Sequence, residues 1–218
     1  MTVLVTGASS TIARETLRIV QERRPGEEVV RLGRSPGCAP VVDLRSMDQI
    51  DALADDVLQA DRLLVCHGLL HAKDFLAQSP GEVIDSLTVN LLSTVRLVER
   101  ALSVNPDLRA VVLGSESGFK GSFDGSYALA KAGLHAYVRR RRLSPRQQLV
   151  CVAPSVIGDA GMTTRRVDQD RVRERAATHP MGRLASSAEI AEFIYYLLYL
   201  DQGYINNAVI PVDGGKFA

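Results

Sequence analysis

The 218-residue chain predicts a doubly wound α/β fold, a parallel sheet of seven strands with helices on both faces. Two observations carry this. Short Val- and Leu-rich runs that read as buried strands alternate throughout with segments of helical periodicity. The first of these runs breaks at Gly7 straight into an amphipathic stretch, the strand-turn-helix unit from which such sheets are built. At 46% apolar residues the chain is long enough for one well-buried domain and short for two, so a single domain over residues 1–218 is expected.

Residues 1–6 form the first strand by their Val and Leu content, and 11–23 a helix offering Ile12, Leu17, Ile19 and Val20 for burial. Between them, Gly7-Ala8-Ser9-Ser10-Thr11-Ile12 has the make-up of an anion-binding turn. Glycine permits the tight bend, and the helix start offers unpaired N–H groups and a positive dipole end. The second strand, 28–32, ends in Gly33-Arg34-Ser35, and a short Pro/Gly link separates it from Ala39-Pro-Val-Val-Asp43-Leu44. A helix over 46–59 and a central strand over 62–66 follow, the latter running into Val65-Cys-His67-Gly68. Ser79-Pro-Gly-Glu82 is a capping box with proline at the first helical position. The helix it starts runs toward residue 103 with Asn90 near its middle, where an asparagine is unfavourable without a purpose.

The Leu91, Leu92, Val95, Leu97, Val98 and Leu102 surface of that helix is too apolar for one face alone, and a subunit contact in a homodimer or homotetramer is expected to cover part of it. A strand over 110–114 then leads into Ser115-Glu-Ser-Gly118, and a glycine-rich segment over 120–125 into a helix ending in four arginines, 139–142. Residues 148–153 form a further buried strand, ending in Pro154-Ser-Val-Ile157. From 159 to 178 the chain turns polar, with Arg165, Arg166, Arg171, Arg173 and Arg175 against Asp168, Asp170 and Glu174. Ser186-Ser-Ala-Glu189 caps the last long helix, to about residue 200, and 207–212 is the final strand.

A net charge of +1 argues against a general binder of nucleic acid or membrane surface. The four arginines sit at a helix C-terminus, where the dipole stabilises them facing solvent. No apolar run reaches membrane-spanning length, and the first residues read as a core strand rather than a signal peptide, so a soluble cytoplasmic protein is expected. Cys38, Cys66 and Cys151 lie in no metal-like spacing, and no metal is expected; Cys66 and Cys151 read as buried free thiols.

Tyr127 and Lys131 stand at i and i+4 in Tyr127-Ala-Leu-Ala-Lys131, one turn apart on one helix face. A tyrosine of ordinary pKa, about 10, is a poor acid–base group at neutral pH, and an adjacent ammonium is expected to pull that value down. Ser115 lies upstream at a strand end, where α/β sheets place their chemistry. With Val3-Leu-Val-Thr-Gly7 at the start, Asp43 and Asn90 between, and Val212-Asp-Gly-Gly215 at the close, the chain resembles, in order over residues 2–215, the short-chain dehydrogenase/reductase family.

The resemblance implies a Rossmann-like sheet and reversible hydride transfer between a nicotinamide cofactor and a small-molecule carbonyl or secondary alcohol. Ser115 would hold the carbonyl oxygen and Tyr127 exchange the hydroxyl proton. Lys131 would bind the ribose and lower the tyrosine pKa. Asn90 would bend its helix and hold a water that passes protons from Lys131 to solvent. For the cofactor, Gly7, Ser9, Ser10, Thr11 and Ile12 would face the pyrophosphate, and Asp43 and Leu44 the adenine. His67 and Gly68 would lie by the nicotinamide ribose, and Pro154 and Ile157 by the carboxamide. Arg34, where NAD binding favours an acid, implies NADP(H) in preference to NAD(H), or stands as a surface arginine.

Several positions depart from the family pattern. Thr11 and Ala13 replace its second and third glycines, and Thr11 either crowds the cofactor, points away, or donates its hydroxyl to a phosphate. Cys66 and His67 replace two asparagines; His67 is either functional or a structural histidine bonded in its turn. Ser155 replaces a glycine and tightens the pocket. Residues 159–180 match a substrate lid whose arginines suit an anionic substrate or simply a solvated helix. Two other functions stay open: an epimerase or dehydratase that recycles its cofactor, and a non-catalytic NADP(H) sensor.

Overall fold

The computed structural model describes residues 1–164, 169–199 and 204–216. Its strands are β1 (Thr2–Thr6), β2 (Glu28–Leu32), β3 (Arg62–Val65), β4 (Arg109–Leu113), β5 (Gln148–Pro154) and β6 (Ala208–Val212). They form one sheet in the order β2-β1-β3-β4-β5-β6, with every pairing parallel. The α-helices are α1 (Thr11–Arg23), α2 (Met47–Asp51), α3 (Asp55–Leu58), α4 (Pro80–Leu87), α5 (Ser93–Val104), α6 (Ser117–Lys120), α7 (Gly125–Arg140), α8 (Gly161–Thr164), α9 (Gln169–Ala177) and α10 (Ser187–Tyr199).

The period of two along each strand divides the core into two layers. Leu4, Leu63, Ala110, Val112, Leu149 and Cys151 face α5 and α7, meeting Leu97, Val98, Ala101, Leu134 and Val138. Val3, Val5, Leu64, Val111, Val150 and Val152 face α1 and α10, meeting Leu17, Val20, Ile190, Ile194 and Leu198. Both faces are covered, which is why the strands read as continuous apolar runs. Cys66 and Cys151 are free and buried within these layers.

The sheet has six strands among the described residues rather than seven. Between the end of β2 and the bridge at Ala39 only residues 33–38 remain, fewer than the dozen or so that a crossover helix between parallel strands requires. The segment instead folds back on β2 through single bridges, Arg31 to Ala39 and Gly33 to Val41. The helix expected over 46–59 is likewise two short helices. Arg100 of α5 reaches between them, donating to the Ile50 carbonyl at 3.0 Å and pairing with Asp55 at 3.2 Å.

The capping box at Ser79 is formed as its spacing predicts, with side-chain and backbone bonds in both directions. The helix it starts is interrupted by a π-helical turn over Thr88–Leu92, with Asn90 at its centre. Leu97, Val98 and Leu102 are buried in the chain's own core, so the apolar excess of this helix is smaller than its sequence implies; Leu92 remains exposed. No helix among the described residues is long and apolar enough to cross a membrane. Arg165, Arg166 and Asp168 of the expected lid, and residue 200, lie outside the described residues.

Candidate active site

A cleft of about 400 Å³ opens at the carboxyl ends of β1, β2 and β3, lined by Gly7, Gly33, Arg34, Ser35, Leu44 and His67 among others. The chain passes from β1 to β2 on one side and returns to β3 on the other, so the cleft sits at the switch point of the sheet, where such folds bind ligands. Gly7 holds φ +64, and a Cβ there would stand 2.5 Å from the His67 nitrogen and 2.6 Å from the Cys66 carbonyl carbon. Only a residue without a side chain lets the turn after β1 approach the end of β3 this closely.

The polar groups of this turn divide into committed and open ones. The Ser10 hydroxyl caps α1 by accepting from the Ala13 N–H at 3.1 Å. Ile12 is buried in the layer beneath, and Thr11, the first residue of α1, is not among the residues lining the cleft. Ser35 donates to the exposed Ser9 hydroxyl at 3.3 Å, beside Arg34 at the cleft wall. Arg34 itself reaches Asp43 at 3.4 Å, in a pair open to water. Asp43 also accepts from the Arg45 N–H at 3.0 Å.

His67 is the structural histidine of the two readings. Its Nδ1 lies 2.7 Å from Thr6 Oγ1 and its Nε2 2.9 Å from Ser93 Oγ, so neither nitrogen is left for a ligand. Burial pushes its pKa down to about 3, the nearby Lys131 charge adding to the effect. It stays neutral and ties the end of β1 to the first turn of α5.

Deeper along the sheet edge, α7 carries Tyr127 and Lys131 beneath the turn that follows β4. Lys131 is 3% exposed, donates to the Leu113 carbonyl at 2.6 Å, and lies 5.6 Å from the centre of the Tyr127 ring. Ser115 sits in that turn, its hydroxyl accepting from the Ser117 N–H at 3.1 Å and lying near enough to the Tyr127 phenol to favour its ionised form. The Glu116 N–H donates to the Pro154 carbonyl at 2.9 Å, which joins this turn to the end of β5; Ile157, three residues on, is buried. Ser115, Tyr127 and Lys131 thus come together.

The electrostatics differ from the sequence expectation. Burial pushes the Tyr127 phenol up to about 12, against the pull of the Ser115 hydroxyl. Burial also brings Lys131 down to about 8. An i, i+4 spacing fixes neighbours but not desolvation, and here desolvation is the largest influence on the phenol.

Asn90 is fully buried and clasps the backbone after Gly68, its Oδ1 accepting from the Leu69 N–H and its Nδ2 donating to the Leu69 carbonyl, both at 2.9 Å. The remaining amide proton goes to the Ser86 carbonyl at 2.9 Å. The side chain therefore has no donor left for a water. The π turn is centred on this residue, and its side chain braces a loop.

Two positioning residues escaped the sequence reading. Asp124, 3% exposed, caps α7 through the Tyr127 N–H at 3.1 Å and also accepts from His71 N–H at 2.8 Å, Ala72 N–H at 3.1 Å and Gln78 at 2.8 Å. Burial works to raise its pKa, but these bonds outweigh it and hold the carboxyl below its ordinary value. An Asp just before a helix is an N-cap signal that could have found it. Glu116, beside Ser115, binds Lys216 from the far end of the chain, a contact that no local pattern marks.

A family profile described as enoyl-(acyl carrier protein) reductase matches residues 13–216. The chain is 31% identical over 231 aligned residues to the 3-oxoacyl-(acyl-carrier-protein) reductase MabA of Mycobacterium tuberculosis, covering 98% of this chain and 91% of the relative. The chain belongs to the short-chain dehydrogenase/reductase family. The 3-oxoacyl-(acyl-carrier-protein) reductase FabG of Pseudomonas aeruginosa is 28% identical, with 87% of this chain and 81% of that one covered. Among solved structures, a 3-oxoacyl-(acyl-carrier-protein) reductase from Agrobacterium tumefaciens with NADP bound superposes with a TM-score of 0.85 at 23% identity, covering 98% of this chain and 93% of that chain. The actinorhodin polyketide ketoreductase with NADPH gives 0.84 at 20% identity, covering 98% and 96%. At such identities the superpositions establish the fold shared with other short-chain dehydrogenases/reductases.

Proposed function

We propose that this family member is an NADP(H)-dependent ketoreductase, acting by hydride transfer on a small-molecule ketone through Ser115, Tyr127 and Lys131. The observation that carries the reading is Tyr127 near Ser115, with the buried Lys131 ammonium 5.6 Å from its ring centre, at the carboxyl edge of the sheet. The cleft of about 400 Å³ that Gly7 and His67 line falls within the usual range of small-molecule sites. Gly7 lets backbone approach a pyrophosphate closely, and Ser9, Ser35 and Arg34 gather two hydroxyls and a guanidinium suited to a 2′-phosphate. Leu44 offers the adenine an apolar wall, and Pro154 and Ile157 stand at the end of β5, on the nicotinamide side.

When bound, NADPH supplies the hydride. A phenol held near 12 is protonated at neutral pH, so Tyr127 is set to give its proton to the substrate oxygen as negative charge develops there. Ser115 donates a second hydrogen bond to the same oxygen and fixes its position. Lys131, mostly ammonium below about 8, stabilises the phenolate left behind. Asn90 and Asp124 hold the backbone on either side of this group. Residues 159–180 act as the lid over the substrate, and the exposed Ile84, Leu92 and Leu129 give a homodimer or homotetramer an apolar contact.

The reading is tested with purified protein, NADPH or NADH, and a panel of ketones that includes acidic ones, following cofactor absorbance. Consumption of NADPH with formation of the alcohol is expected; absence of binding of either dinucleotide in calorimetry would end the reading. Within it, Arg34→Glu is expected to raise the KM for NADPH roughly 10- to 100-fold, the loss of a charge-assisted contact, and to leave NADH the better cofactor. An unchanged preference would show that Arg34 does not meet the 2′-phosphate.

A further inference from the structure

His135 lies on α7 four residues after Lys131, so Tyr127, Lys131 and His135 follow one another along one face of the helix. It is 2% exposed, and neither ring nitrogen has a hydrogen-bond partner among the described residues. A buried polar ring without partners costs folding free energy, and a residue that served only to fill the core would do so at less cost as an apolar one. Burial pulls its pKa down to about 4, the charges of Arg139 and Lys131 adding to the effect. The ring is therefore neutral at neutral pH and sets no second charge beside the Lys131 ammonium.

What the ring touches is the turn that carries Ser115. A Cβ on Gly114 would stand 2.7 Å from His135 Nε2, and one on Gly118 would stand 2.5 Å from its Cε1 and 2.7 Å from its Nδ1. The flat imidazole thus fits against two glycines that bracket Ser115, where a side chain on either would collide with it. From the sheet side the same turn is pinned to β5 by backbone bonds, the Gly114 N–H donating to the Val152 carbonyl at 2.7 Å and the Glu116 N–H to the Pro154 carbonyl at 2.9 Å. Phe119, next after Gly118, packs on the imidazole with ring centres 4.6 Å apart and planes tilted by 45°. Arg139, the first of the four arginines that end α7, stands 5.5 Å from the centre of the Phe119 ring.

We propose that His135 is a positioning residue for the reduction, a spacer between α7 and the 114–118 turn that, held by Phe119, sets where the Ser115 hydroxyl meets the substrate oxygen. The proposal goes beyond the ketoreductase reading by naming a residue that touches neither substrate nor cofactor, and it rests on that reading. Ser115 and Tyr127 must reach one oxygen at the same time. The turn carries the first and α7 the second, so their relative placement depends on what separates the turn from the helix. A misplacement of about 1 Å in such an arrangement costs on the order of 10²-fold in rate.

The test measures kcat for ketone reduction and calorimetric affinity for NADPH in His135→Ala and Phe119→Ala, each with Ser115 intact and with Ser115→Ala. With Ser115 intact, kcat is expected to fall roughly 10- to 100-fold in His135→Ala and by less in Phe119→Ala, at unchanged affinity for NADPH. With Ser115 replaced, neither substitution should lower kcat further, because each acts through that hydroxyl. A general loosening of the fold would instead weaken NADPH binding and slow both backgrounds alike. Unchanged kcat in His135→Ala, or an equal fall in the two backgrounds, would overturn the proposal and leave the ketoreductase reading standing; no ketone reduction by the wild-type protein would remove both. Phe119 is 43% exposed, so Phe119→Ala is expected to fold, and it decides should His135→Ala not fold. Where Ser115→Ala leaves no measurable turnover, hydrogen exchange decides in its place. The Ser117 and Gly118 amide protons, bonded to the Ser115 hydroxyl at 3.1 Å and carbonyl at 3.0 Å, must exchange faster in the two variants than in the wild-type protein, and equal exchange refutes the spacer.

Discussion

Replacing Tyr127 by Phe is expected to lower kcat for ketone reduction with NADPH by roughly 10²- to 10⁴-fold, the usual contribution of a positioned proton donor. The ring is retained, so its packing on α7 and its place above Lys131 are preserved, and only the hydroxyl is lost. Calorimetric affinity for NADPH should therefore change little, separating a chemical effect from a binding one. Turnover close to that of the wild-type protein would remove Tyr127 from the reaction.

The same site predicts a pH dependence. Lys131 has its pKa lowered by burial to about 8, so the free protein loses the ammonium as pH rises through that value. Reduction depends on that charge to stabilise the phenolate, and kcat/KM, which reports the free enzyme, should fall above about pH 8. Stability moves the other way. Between about 8 and the ordinary lysine value near 10.5 the unfolded chain binds more protons than the folded one, so the Lys131 contribution to folding becomes more favourable with rising pH. Opposite slopes of activity and stability in this window would distinguish loss of the ammonium from alkaline unfolding.

Strand content, the capping box at Ser79, and the meeting of Ser115 with Tyr127 and Lys131 were legible because each depends on local periodicity or on the edge geometry common to parallel sheets. The strand count was not, because a strand needs a ladder and composition shows only that a segment could join one; Ala39 and Val41 make single bridges. The spacing of Tyr127 and Lys131 makes them neighbours but does not show the burial that raises the pKa of the phenol. His67 could be resolved only by its partners Thr6 and Ser93, which lie far from it in the chain. Lys216 and Glu116 are further apart still, and no sequence pattern pairs them.

Gly7→Ala is the substitution expected to cost the most stability. Two penalties add. A non-glycine residue at φ +64 pays about 1–2 kcal/mol for the left-handed conformation. The new methyl would also sit 2.5 to 2.7 Å from the backbone of Cys66 and His67, where no side chain can rotate away and the ends of β1 and β3 must separate; overpacking of this kind costs typically about 1–3 kcal/mol. A loss of roughly 2–5 kcal/mol in denaturant unfolding follows from these terms. Gly26→Ala is the matched control, since that glycine has no positive φ and nothing within 4 Å of its added Cβ, so the change should be near neutral or slightly stabilising. Because the floor of the cleft is the contact that Gly7 makes with His67, whatever fraction of Gly7→Ala folds should also bind NADPH more weakly than the control. Equal stability of the two variants would mean that the turn after β1 does not lie against the end of β3, and the cleft drawn between them would go with it.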